Sequence, residues 1–279
     1  MTEYVQKLYQ AVKLNNKNLP HTIVERCESD VNIINRSFHM KGACDTCVIL
    51  VHGWTSTPYE MRVLGEKLNS QGLAVDAPLL SGHGTKPEHL ENISWEQWVD
   101  DVEKAYNRVK KQYKKVYIGG MSVGGTLSAL VAEKNPDLDG LILMGTPYKM
   151  KHEKVGFVTV STVNKFKKYK KKYYPKFTDA QPSITQLISY QRYPITSALE
   201  AFKAIKNSHN SFEKITQPTF LIQAEKDHLV AKNSIYQIYK KINSQKKEMC
   251  VLQNASHNFM GNNEYGNVFD NVISFVNKN

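Results

Sequence analysis

Three side chains, each following an apolar run, could together break an acyl bond: Ser122, Asp227 and His257. Ser122 sits in Gly120-Met121-Ser122-Val123-Gly124, directly after Val116-Tyr117-Ile118. This is the G-x-S-x-G pattern of a nucleophile elbow, a sharp strand-to-helix turn that lifts a serine hydroxyl clear of the backbone. Side chains two residues either side of the serine would strike the helix or a neighbouring strand, which is why the flanks are glycine. A serine hydroxyl is a weak nucleophile until a base takes its proton. His257 is the candidate base and Asp227 the acid that orients it. The order Ser, Asp, His along the chain is the order this elbow requires. Glu225, two positions earlier, is the competing acid. It is expected on the strand end rather than in the loop, which favours Asp227. His228 is the alternative base, but it neighbours the acid and follows no final strand.

An acyl-transfer site also needs donors for the oxyanion. The backbone amide after the nucleophile, Val123, is one, at the start of a helix whose N-terminal amides favour negative charge. The second is expected at Trp54, where Gly53 lets the chain turn after Cys47–Val51. His52 and His83 lie in loops near these groups and are expected to bond loop backbone rather than react. No histidine spacing suits a metal, so no metal is expected.

The elements that must position these residues alternate. Cys47–Val51, Leu73–Pro78, Val116–Ile118, Leu141–Met144, Thr219–Ala224 and Met249–Leu252 read as buried strands. Between them, Glu60–Ser70 carries Met61, Leu64 and Leu68 on one helical face. Ser94 with Gln97 forms a capping box ahead of a stripe through Trp98, Val102 and Val109. Further helices are expected over Thr126–Asn135 and Val268–Val276. Such alternation predicts an α/β fold with a mostly parallel sheet and helices on both faces, and ligands at the carboxyl ends of the strands. Val5, Leu8, Tyr9 and Val12 suggest an N-terminal amphipathic helix, and Thr22–Lys41 a pair of antiparallel strands. Between about Tyr148 and Thr216 the pattern is polar and helical with no strand evident. The division expected is core 1–147, an inserted helical cap 148–212, and core 213–279.

At 279 residues, with 41% hydrophobic and 23% charged residues, the chain can bury one large core. No apolar run reaches the roughly 20 residues of a membrane span, and the N-terminus has no signal-peptide pattern, so a soluble cytoplasmic protein is expected. Cys44 and Cys47 form a CxxC without a second pair, which reads as free thiols alongside Cys27 and Cys250 rather than a zinc set. The net charge of +11 is concentrated. Tyr148–Thr178 holds ten lysines and one acid, Glu153. Within it Val155, Val158, Thr162, Val163, Phe166, Tyr169 and Tyr173 recur at helical spacing, among lysines 165, 167, 168 and 170–172. One reading is a lid helix with its lysines in water. The other is a surface that meets an anionic membrane. Nucleic acid is not expected, since no binding motif and no arginine accompany the run.

The stretches "VILVHGWTSTPYEMRVLGEKL", "APLLSGHGTKPEHL", "ISWEQWVDDV", "GGMSVGGTLSALVA", "TFLIQAEKDHLV" and "SHNF", in that order from Cys47 onward, resemble α/β-hydrolase serine hydrolases. The similarity is to the compact bacterial carboxylesterases and monoacylglycerol lipases. That resemblance implies an eight-stranded sheet, a helical cap, a Ser122-Asp227-His257 triad, no cofactor, and a small acyl ester or monoacylglycerol as substrate. The first twenty residues fall outside it, and the cap matches in position but little in sequence. Three functions remain open at this point: an ester hydrolase, an acyltransferase or thioesterase with the same triad, and a lipid-binding module that keeps the fold without catalysis. A dehalogenase is excluded, because that chemistry places Asp where Ser122 stands.

Overall fold

The computed structural model describes residues 34–151, 167–172, 185, 188–261 and 266–279. Seven strands form one sheet in the order β1-β3-β2-β4-β5-β8-β9. These are β1 (Phe38–Met40), β2 (Thr46–Val51), β3 (Ala74–Ala77), β4 (Lys115–Met121), β5 (Gly140–Met144), β8 (Thr219–Ala224) and β9 (Lys247–Leu252). Only β1 runs antiparallel, on β3; every other pairing is parallel. Among the described residues the helices are α1 (Arg62–Ser70), α2 (Trp95–Lys110), α3 (Val123–Lys134), α4 (Ile195–Ser211), α5 (Ser234–Lys241) and α6 (Gly266–Lys278).

The period-two alternation of the strands divides the core. Cys47, Ile49 and Val51 of β2 face one side, with Trp98 and Val102 of α2, Leu127 and Val131 of α3, Ala201 and Ala204 of α4, and Ile235 of α5. Val48 and Leu50 face the other, with Leu64 and Leu68 of α1 and Val272 and Phe275 of α6. Each fully buried aliphatic side chain contributes about 1.5–3 kcal/mol, so two covered faces hold the central strands rigid beneath the loops at their carboxyl ends. The capping box starts α2 as the sequence requires, with Ser94 N–H donating to Gln97 Oε1 at 3.0 Å.

Several expectations need correction. The sheet has seven strands among the described residues, and an eighth is not shown. Of the two strands expected over Thr22–Lys41, β1 is described and pairs antiparallel with β3, while residues 22–33 lie outside the described residues. Glu60 is not in α1 but in a 3-10 turn, Pro58–Met61, that precedes it; the proline's fixed φ tightens the chain there. The segment read as strand-free contains β6 (Tyr169–Lys171) and β7 (Arg192–Pro194), paired antiparallel. Three-residue strands are too short to show an alternation. Helix α5 was not anticipated, although Ile235 and Ile238 carry its buried face. The expected N-terminal helix, Cys27 and the cap stripe from Val155 to Phe166 with Tyr173 lie outside the described residues. Cys44, Cys47 and Cys250 are free thiols. Among the described residues, no helix is long and apolar enough to cross a membrane.

Candidate active site

Ser122 stands between β4 and α3 with φ 55° and ψ −120°. A non-glycine residue there carries local backbone strain of about 1–3 kcal/mol, held by Ser122 N–H donating to Met144 O at 2.8 Å. Gly125 and Thr126 donate to Ser122 O and begin the helix, which leaves Val123 at its N-terminal mouth. A Cβ on Gly120 would lie 2.2 Å from the Gly124 carbonyl carbon, and one on Gly124 would lie 2.3 Å from Val51 O. Strand, helix and β2 therefore meet backbone to backbone, and backbone cannot retreat as a side-chain tip can. Gly124→Ala should destabilise the fold by about 3 kcal/mol and disturb Ser122. Urea unfolding read against the parent chain checks this.

Asp227 follows β8 and is fully buried. Its Oδ1 accepts the Leu229 and Val230 N–H groups, each at 2.8 Å. Its Oδ2 accepts Gln223 Nε2 at 3.0 Å and His257 Nδ1 at 2.7 Å. The loops carrying the two residues are stitched together, since Glu225 N–H donates to Leu252 O and Lys226 N–H to Ala255 O. Burial pushes the Asp227 carboxyl up, but the charge and hydrogen bond of His257 and the loop amides hold it below its usual range. Burial likewise pushes His257 down, and Asp227 reverses that, so its imidazole titrates above the usual value. Glu225, the competing acid, instead accepts Asn254 N–H at 3.3 Å. His228 lies edge-on to His257 with ring centres 6.1 Å apart, and burial lowers its pKa to about 4.

His257 sits over the turn after β5. A Cβ on Gly145 would come 3.5 Å from His257 Cε1, and the preceding residue, Met144, is the one that holds the Ser122 amide. Gly53 closes the corner from β2: a Cβ there would lie 3.7 Å from Ser122 Cβ. The predicted nucleophile, base and oxyanion loop thus converge on the carboxyl ends of β2, β4 and β5.

The loop after β2, expected to supply an oxyanion donor, is held by two neutral histidines. Leu80 N–H donates to His52 Nε2 at 3.2 Å, so the Nδ1 hydrogen points at Gly53 O, 2.9 Å away. Thr55 N–H donates to His83 Nε2 at 2.9 Å, and His83 Nδ1 faces Ser81 O at 3.1 Å. Burial drives His52 to about 4 and His83 well below its usual value, which keeps both acceptors available. Thr55 itself has φ 68°, and a β-branched residue adopts that only when its surroundings impose it. Trp54 packs edge-on against Tyr193 of β7, with centroids 4.7 Å apart, so its side chain braces the loop while its amide remains the chemical group of interest. Among the described residues, no three His, Cys, Asp or Glu side chains converge as a metal-binding set.

Residues 42–264 match the family described as serine aminopeptidase, S33. The chain belongs to that family. The matched stretch runs from just before β2 to just short of α6. Within this frame the chain is 28% identical over 216 residues to a thermostable monoacylglycerol lipase of Bacillus sp. (strain H-257), covering 75% of this chain and 82% of the relative. It is 27% identical over 245 residues to a carboxylesterase of Bacillus subtilis (strain 168), covering 87% and 96%. Among solved structures, a metagenome-derived lipolytic enzyme superposes with a TM-score of 0.81 at 21% identity, over 88% of this chain and 98% of the other. That likeness shows an α/β-hydrolase fold.

Two supports of this S33 site had no clear signal in the sequence. Gln223 holds the second oxygen of Asp227 from within β8, where its position reads as one more strand residue. Glu60 accepts the Gly53 N–H from the turn after the oxyanion loop, at 2.7 Å. In sequence it reads as a surface helix residue.

Proposed function

We propose that the chain is a carboxylic-ester hydrolase of the carboxylesterase or monoacylglycerol lipase type, working through Ser122, His257 and Asp227. The observation that carries this reading is the buried 2.7 Å Asp227–His257 pair, seated at the same strand ends as a serine in a strained elbow. Ser122 Oγ attacks the ester carbonyl as His257 Nε2 takes its proton. The Trp54 and Val123 amides receive the oxyanion. His257 then protonates the departing alcohol, and a water activated by the same imidazole releases the acid from Ser122. Asp227 holds the Nδ1–H tautomer and stabilises the imidazolium throughout. The curated relatives named as monoacylglycerol lipase and carboxylesterase support an ester substrate, and a short or medium acyl chain is part of this proposal. Of the cap expected over 148–212, β7 packs Tyr193 on Trp54 beside the site while α4 packs on the sheet, and the protein is proposed to work in the cytoplasm.

The test is turnover of p-nitrophenyl esters of increasing acyl length, with an aminoacyl p-nitroanilide in parallel and a fluorophosphonate to trap the nucleophile. Ester turnover with the label on Ser122 is expected. Anilide turnover alone would replace the ester reading with a peptidase. Acyl transfer to an added alcohol or thiol in preference to water would replace it with a transferase.

The antiparallel pair of β6 and β7, a hairpin in its pairing alone, supports a second element of this reading, an anionic membrane surface as partner. Lys170, Lys171 and Arg192 are exposed there. Each such cation near an anionic surface is worth about 1 kcal/mol. Co-sedimentation with vesicles containing phosphatidylserine should fall when Lys170 and Lys171 become Glu, and neutral vesicles should bind neither form.

A further inference from the structure

Glu60 is a buried acid beside the nucleophile that the reaction above does not use. It is 2% exposed, in the turn that follows the oxyanion loop. Its Oε2 accepts Gly53 N–H at 2.7 Å. A Cβ on Gly53 would lie 3.3 Å from that oxygen and 3.7 Å from Ser122 Cβ, so the carboxylate and the nucleophile flank the same glycine. An acid taken out of water is costly unless charges and donors compensate it. Besides the Gly53 amide, Thr185, His257 and Lys172 face it. Burial raises the Glu60 carboxyl above its usual range, and these groups offset only part of that rise. Burial in turn lowers Lys172 to about 8, with Glu60 opposing.

Lys172 arrives at this acid from the hairpin. It directly follows β6, and its N–H donates to Gln191 O at 2.8 Å, beside β7. The same hairpin grips the oxyanion loop at two further points. Tyr190 N–H donates to Thr55 O at 2.9 Å, and Tyr193 packs on Trp54. Tyr190 Oη also accepts Thr85 N–H at 2.8 Å and donates to Gly82 O at 3.0 Å, which fixes the root of that grip. Satisfying one amide does not require a charge, because a neutral amide side chain would accept the Gly53 proton equally well. A carboxyl group, unlike an amide, can also carry charge here and act on the charged groups that face it.

We propose that Glu60 is a positioning residue: through the Gly53 amide it fixes the oxyanion loop, and through Lys172 it ties that loop's working geometry to the seated β6–β7 hairpin. The inference rests on the serine-esterase reading for its kinetic consequences and on the hydrogen bond alone for its structural one. In its ionised form Glu60 also faces His257 with negative charge, alongside Asp227, Lys172 and the neighbouring His228. Removing that charge lowers the imidazole pKa.

The experiment compares the full-length parent with Glu60→Gln, Glu60→Ala, Lys172→Met and the Gln/Met double variant. The readouts are kcat and KM on one p-nitrophenyl ester across pH, melting temperature, and hydrogen exchange of the Gly53–Thr55 amides. Glu60→Ala should lose about 10²-fold in kcat with KM nearly unchanged, the size of one lost oxyanion donor, and its Gly53 amide should exchange faster. Glu60→Gln should keep the slow Gly53 exchange and the melting temperature, lose less kcat, and move the acid limb of kcat/KM to lower pH. The double variant should be no worse than the poorer single one, because the two charges act as a pair. Parent-like kcat and pH limb in both Glu60 variants would overturn the proposal. So would unchanged Gly53 exchange in Glu60→Ala. If the parent hydrolyses no ester, the esterase reading fails on its own, and Gly53 exchange still decides whether Glu60 holds the loop.

Discussion

Ser122→Ala should lower kcat on a p-nitrophenyl ester by on the order of 10⁶-fold, the loss expected when a triad nucleophile is removed, with substrate binding nearly intact. The size follows from the division of labour at the site. The elbow presents one hydroxyl at the mouth of α3, and the strained backbone around it exists to do so. Alanine tolerates φ 55° no worse than serine does, and the Ser122 side chain caps no helix amide. The fold should therefore survive, with a melting temperature near that of the parent. The residual rate would come from His257-activated water facing a carbonyl already polarised by the loop amides. The check is single-turnover kinetics with mass analysis for an acyl adduct. The parent should carry the adduct on the peptide containing Ser122, and the variant none. An adduct elsewhere, or parent-like turnover, would move the nucleophile to another residue.

Asp227→Asn should cost about 10⁴-fold in kcat while preserving the fold. The carboxylate accepts four hydrogen bonds, and an Asn oxygen can still take the Leu229 and Val230 amides. Its NH2 group, however, turns a donor toward His257 Nδ1 and toward Gln223 Nε2, both of which now donate to Oδ2. The imidazole is then driven to the tautomer that carries hydrogen on Nε2, where it cannot take the serine proton. The pH profile should move as well. Catalysis needs neutral His257, so kcat/KM falls as pH drops through the folded pKa. In the parent that limb lies above the usual imidazole value, because Asp227 overrides burial. Without the carboxylate, burial dominates and the limb shifts to lower pH. Stability follows the opposite sign for the acid: the depressed Asp227 pKa contributes stability above its unfolded value, and that is lost as pH falls through the folded one. A pH series of kcat/KM and melting temperature checks both. Should Glu225→Gln produce these losses while Asp227→Asn does not, Glu225 is the orienting acid.

The sequence by itself determined the alternating core and the order of the reacting groups. Runs such as Cys47–Val51 and Thr219–Ala224 need both faces covered, and that forces parallel strands with helices on either side. Gly120 has a local cause, since a Cβ there would strike the Gly124 backbone four residues on, whereas a Cβ on Gly124 would strike Val51 of β2, a contact that exists only once the sheet has formed. Asp227 was preferred over Glu225 by its place just past a strand end, and the structure brings Asp227 to His257. Tertiary structure decided what depends on contacts between residues far apart in the chain. Gln223 supports Asp227 only because β8 ends where it does. His52 and His83 become acceptors for Leu80 and Thr55 only once β2 and β3 lie side by side and their loops cross. Glu60 follows the same rule: in sequence it belongs to a helix pattern, and the Pro58 turn rotates it beneath Gly53, where a lysine more than a hundred residues away faces it. Hydrophobic periodicity is written along a chain because each element buries its own stripe. Charge pairing across a site is not, because its energy depends on burial and distance that exist only after folding.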